Sequence, residues 1–103
     1  MAPPELSDDQ RKAALEQAAH ARRIRAEVKQ LLKMGTITFP ELLERAAEDD
    51  LVAGIKVSAI LESIPGNGKV KSKRIMEQHG IAPNRRIRGL GARQREALLE
   101  LFG

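Results

Sequence analysis

The stretch Ile64-Pro65-Gly66-Asn67-Gly68-Lys69-Val70-Lys71-Ser72-Lys73 decides the fold. Pro65 cannot continue a helix, so it closes the short segment Ala59 to Ser63, which Ser58 is placed to cap. Two glycines spaced i, i+2 then make a tight turn, and a new helix is expected from Lys69 to His79, stopped by Gly80. Two short helices joined this way form a helical hairpin. Its turn exposes backbone N–H groups at the positive end of the second helix, an arrangement that holds a phosphate oxygen. Lys69, Lys71 and Lys73 surround the spot, and Gly66, Asn67, Gly68 and Val70 supply the backbone around it.

Upstream of the hairpin the punctuation is equally clear. Thr38-Phe39-Pro40-Glu41 is a capping box with proline in the first turn, opening a helix to about Glu48 with an apolar side of Phe39, Leu42, Leu43 and Ala46. Asp50 to Gly54 leaves room for one more short turn. Ser7-Asp8-Asp9-Gln10 is a second capping box, and no glycine or proline follows until Gly35. Residues 7–34 therefore read as one long helix of roughly 40 Å at ~1.5 Å per residue. Ile24, Val28, Leu31 and Leu32 share one of its faces; Arg11, Arg22, Arg25, Lys29 and Lys33 lie on the adjacent arc. Its first half offers only Leu15 and alanines for burial, so it is expected to project.

Downstream, residues 81–91 hold Pro83 and two glycines and are too broken for a helix. Ala92 to Phe102 closes the chain, with Leu98, Leu101 and Phe102 expected inside. The sum is one all-α domain: residues 1–6 disordered, 7–34 a long helix, and 36–103 a helical domain whose functional module spans about 58–103.

Composition narrows the chemistry. The 103 residues include no cysteine, which removes disulfides, thiol nucleophiles and iron–sulfur clusters. His20 and His79 are too few for an ordinary zinc site, so neither metal nor cofactor is expected. No apolar run approaches the ~20 residues of a membrane span, and Met1 to Glu5 lacks the regions of a secretion signal, so a cytoplasmic location is expected. Residues 1–51 carry eight Lys and Arg against ten Asp and Glu, whereas residues 52–103 carry ten against four. Between Lys69 and Arg95 stand nine basic residues and one acid, Glu77. Charge gathered in this way implies a polyanionic partner.

The second basic stretch is Ile81-Ala82-Pro83-Asn84-Arg85-Arg86-Ile87-Arg88-Gly89-Leu90-Gly91. Arginine's planar fork suits phosphate, or guanine in a groove, better than lysine does. Gly89 and Gly91 permit close backbone approach before the last helix, and Arg93 extends the positive field from its first turn. Arg22, Arg25 and Lys56 are secondary candidates. A nucleotide P-loop is a poor alternative, with Ser63 where its first glycine belongs and Val70 where Ser or Thr would hold magnesium. With no Tyr or Trp, the platforms on which single strands stack are missing, which favours a duplex. Leu90 or Ile87 is the candidate for an apolar wedge between base steps.

These residues also carry resemblances. The turn at Pro65-Gly66-Asn67-Gly68 with Ser72 resembles the helix-hairpin-helix pattern, with Asn67 standing where that pattern has an apolar residue. The segment from Ser58 to the C-terminus resembles a helix–two-turn–helix module. The whole chain resembles the actinobacterial integration host factor family of nucleoid-associated proteins. The likeness covers the capped Ala/Arg-rich helix, Lys56-Val57-Ser58, Gly66 to Val70, Ile81-Ala82-Pro83, Arg85 to Gly91 and the closing Leu98-Leu99-Glu100 helix. The resemblance implies a nucleoid-located monomer that binds double-stranded DNA with little sequence preference. It further implies that the protein bends DNA, alters its topology and transcription, and assists phage integrase at attachment sites. The expected contacts are the glycine turn and Arg85-Arg86-x-Arg88. An RNA-binding or ribosome-associated protein is the alternative, since a similar module occurs in a small-subunit ribosomal protein; a protein-binding accessory using the basic face of the long helix is another. Catalysis is not expected: glycosylase/lyases with this module use an N-terminal proline amine, and Ala2 precedes Pro3 here.

Overall fold

A computed structural model describes residues 7–103; the expectation of disorder at 1–6 lies outside the described residues. Six helices follow in order: α1 (Asp8–Lys33), α2 (Phe39–Glu48), α3 (Asp50–Ala53), α4 (Val57–Ser63), α5 (Lys69–Gln78) and α6 (Ala92–Phe102), with a 3-10 turn at Ile87–Gly89. No strand occurs among the described residues.

The helix boundaries follow from local chemistry. Ser7 Oγ accepts the Gln10 N–H at 3.1 Å while Gln10 Oε1 accepts the Ser7 N–H at 3.0 Å. Thr38 and Glu41 exchange the same pair of bonds at the start of α2. α1 ends at Gly35, whose φ of +73° is open to glycine at little cost. Leu31 and Leu32 carbonyls then accept from Thr36 at 2.9 Å and Gly35 at 3.1 Å, the paired closure of a Schellman ending. α5 ends the same way: Ile81 donates to Met76 at 2.8 Å and Gly80 to Glu77 at 3.3 Å.

α4 departs from expectation. It begins at Val57 rather than after Ser58, and its N-cap Lys56 makes no side-chain cap. A distant backbone does that work: Val57 N–H donates to the Arg85 carbonyl at 2.9 Å, and Ile87 N–H to the Ile55 carbonyl at 3.0 Å. An isolated antiparallel bridge thus joins Lys56 to Arg86. Tertiary pairing has replaced the hydroxyl cap, and Ser58 lies within the helix.

The core is aliphatic. Val28 and Leu32 of α1, Leu42 of α2, Val52 of α3, Val57, Ile60 and Leu61 of α4, Met76 of α5, Ile87 and Leu98 are all buried. Phe39 and Phe102 meet edge to face with ring centroids 6.0 Å apart, tying α2 to the chain's last turn. Leu101, expected inside, is 52% exposed. Leu98 and Phe102, four apart, face the core, and Leu101 falls on the flank turned away from it.

α1 packs against α3 and α4 with its C-terminal half only. Every residue from Ser7 to Ala18 is exposed, as its scarcity of apolar side chains demanded. This projecting half gives the molecule its elongated outline of 51 × 32 × 25 Å.

Candidate nucleic-acid interface

Ile64-Pro65-Gly66-Asn67 is a four-residue turn closed by the Asn67 N–H to the Ile64 carbonyl at 3.0 Å. Pro65 fits its second position, and Gly66, at φ +78°, occupies the third in the left-handed region, the type II arrangement. Gly68 is the N-cap of α5 and has no side chain to cap it. Among the described residues no protein acceptor faces the N–H groups of Gly68, Lys69, Val70 and Lys71. These are the four donors any helix start leaves open, at an end carrying about half a positive charge. Lys69, Lys71 and Lys73 stand exposed around them, and Val70 is 74% exposed in the same turn.

Asn67 has a different place. It is 3% exposed, and its Nδ2 donates to the Leu61 carbonyl at 2.8 Å and to Ser72 Oγ at 3.0 Å. An amide pin therefore does what an apolar residue does in the usual hairpin, locking the end of α4 to the first turn of α5. With its N–H spent in the turn and its side chain inside, Asn67 shapes the anion cradle from within.

The arginine loop lies at the other end of α4, about 10 Å away for a seven-residue helix. The Lys56–Arg86 bridge sets Lys56, Arg85 and Arg86 side by side. Arg85 is half-buried; its Nη1 donates to the Gly89 carbonyl at 2.8 Å and more loosely to Gln94 Oε1 at 3.5 Å. Arg86 Nη1 donates to the Gly54 carbonyl. Both guanidiniums thus rest on uncharged oxygens. Arg88 is exposed and shares a shallow hollow with Arg95 over α2 and α3. Arg93 is exposed in the first turn of α6. Gly89 is exposed and gives room to its own neighbour, since a Cβ there would lie 2.8 Å from Arg85 Cδ.

Two residues expected as a wedge cannot serve as one, since Ile87 and Leu90 are both buried. Gln94 is a residue that sequence reasoning missed. Its Oε1 accepts from Gly91 N–H at 2.9 Å, and its Nε2 donates to the carbonyls of Gly80 at 3.1 Å and His79 at 3.3 Å. It stitches the end of α5 to the start of α6 and touches Arg85 as well. The glutamine three residues after Gly91 has capping-box spacing, the one signal that could have found it.

Arg22 and Arg25 are exposed on α1, and Lys56 is exposed at the start of α4. No cluster of three metal-ligating side chains exists among the described residues, and no helix there is long and apolar enough to cross a membrane.

Residues 32–102 match the S13-like H2TH domain family. The chain is 55% identical over 103 residues to the integration host factor of Mycobacterium tuberculosis, covering 100% of this chain and 98% of that protein. It is 52% identical over 103 residues to the integration host factor of Streptomyces coelicolor, covering 100% and 96%. A solved structure described as sIHF bound to an 8bp palindromic DNA is similar at 50% identity and a TM-score of 0.81, covering 85% of this chain and 99% of that one. Matches of this length and identity settle the kinship: the chain belongs to the actinobacterial integration host factor family, built on the S13-like H2TH domain.

Proposed function

We propose that this protein is a nucleoid-associated binder of double-stranded DNA that reads the phosphate backbone with little sequence preference. The observation that carries this reading is the uncapped start of α5, four open N–H donors with Lys69, Lys71 and Lys73 exposed on the first two turns of the same helix. Gly66 and Gly68 shape that cradle with Val70 in its first turn, and Asn67 pins it. The arginine loop makes the second contact, through Arg85, Arg86 and Arg88, with Gly89, Lys56 and Arg93 beside it. A solved relative has been captured on DNA, which supports the same partner here.

Contacts at both ends of α4 hold a short duplex at two places and favour bending between them. On this reading the protein acts as a monomer in the nucleoid, changes DNA topology and transcription, and assists phage integrase at attachment sites. It needs no cofactor and performs no catalysis, and it has no exposed aromatic on which a single strand would stack.

Mobility shift on unrelated duplexes of equal length, read with a bending assay, tests the reading. About five phosphate contacts give a log–log salt slope of about −4.5, at similar affinity for each sequence. A slope near zero would sink the proposal. Competition with double-stranded RNA separates it from the ribosome-associated alternative: RNA displacing DNA at equal concentration would favour that second role.

A further inference from the structure

α1 has two flanks beside its buried face, and each meets a different neighbour. Glu27, one turn from Ile24, lines a hollow with Arg45, Glu48 and Asp49 at the end of α2. On the opposite flank Lys33 lines a hollow with Glu62, Pro65, Gly66 and Gly68, so the last turn of α1 stands against the glycine turn itself. From Arg22, Arg25, Lys29 and Lys33 follow three, seven and eleven residues on along one ridge of α1, the ridge that ends at that turn. The acids Glu16 and Glu27 lie on the other side. Arg22, Arg25 and Lys33 are exposed and Lys29 is half-exposed. The ridge spans about 17 Å, and Arg11 continues its line onto the projecting half.

We propose that this basic ridge of α1 is a further contact surface for duplex DNA, continuous with the cradle at Gly66–Lys71 through Lys33. The inference rests on the DNA-binding reading above and extends it. Backbone held at the hairpin passes Lys33 and runs on beside Lys29, Arg25 and Arg22. Alanines at positions 18 and 26 border the ridge. This gives the long helix a role that its thin apolar face does not. It also makes the occupied length of DNA longer than the hairpin and arginine loop alone would cover.

The test is a set of salt titrations by fluorescence anisotropy on a duplex of about 24 base pairs with the full chain, long enough to reach past the contacts whose number sets the slope. The variant Arg22→Gln/Arg25→Gln/Lys29→Gln removes three ridge charges and keeps good helix formers. The control Lys12→Gln/Arg23→Gln/Arg45→Gln removes three charges away from the ridge. A lost phosphate contact takes about 0.9 from the slope, so the ridge variant should lose about 2 to 3 units while the control stays within about one of the parent. A second variant, Arg22→Lys/Arg25→Lys, retains the charge and should retain the slope. An unchanged slope in the ridge variant, or an equal fall in the control, overturns the proposal. If the unmodified protein itself has a slope near zero, it is the DNA-binding reading that fails instead.

Discussion

Asn67 illustrates how one buried polar side chain governs a surface. Its two donated hydrogen bonds, to the Leu61 carbonyl and Ser72 Oγ, cross from one helix of the hairpin to the next. Its own Oδ1 is buried with no partner among the described residues, so the pin is held at some cost. Replacing Asn67 by Ala would leave the buried Ser72 Oγ without its donor at about 1–3 kcal/mol, while the Leu61 carbonyl keeps the Ile64 N–H. The thermal midpoint should fall by roughly 5–20 °C for a domain of this size, as scanning calorimetry would show. An unchanged midpoint would mean that the hairpin does not depend on the amide. Sequence alone marked Asn67 as the odd residue of its pattern without revealing the solution, because the partners lie on two different helices.

At the scale of helices, the boundaries that depend on neighbours along the chain were legible and those that depend on distant ones were not. Both capping boxes, the Gly35 and Gly80 endings and the proline-glycine turn arise within a few successive residues, where pattern determines geometry. The start of α4 departs from expectation because the carbonyl of Arg85, far along the chain, receives the N–H of Val57 and fixes the helix one residue before Ser58. Gln94 went unnoticed for the same reason, since two of its partners belong to the end of α5. A local device should respond locally. Thr38→Ala removes the oxygen that accepts from Glu41 N–H and should cost about 1 kcal/mol, measured by urea denaturation, with DNA affinity unchanged. A loss of affinity in the folded variant would instead make α2 part of the interface.

On the scale of the molecule, two cationic sites sit at the two ends of α4 and a charged rod leans on one of them. The cationic residues of the chain's second half were legible from the sequence; how they group was not. Lys56 belongs with Arg86 through a backbone bridge, Arg88 with Arg95, and Lys33 with the glycine turn. Substituting Arg85, Arg86 and Arg88 together by Ala should weaken duplex binding and flatten the salt slope by about 2 to 3 units. The far-ultraviolet dichroism should persist, because the braces Arg85 and Arg86 provide bear on loop carbonyls rather than on the core. Unaltered affinity in that variant would move the binding site elsewhere.

The guanidiniums of Arg85 and Arg86 lean on neutral oxygens, and this has a thermodynamic corollary. Their repulsion for one another and for nearby cations goes unanswered while the protein is alone, so the empty molecule carries a latent strain of like charge. Added electrolyte relieves that strain in the free protein, yet the same electrolyte competes for the nucleic acid. Ionic strength thus pulls in two directions, firming the solitary fold while loosening its grip.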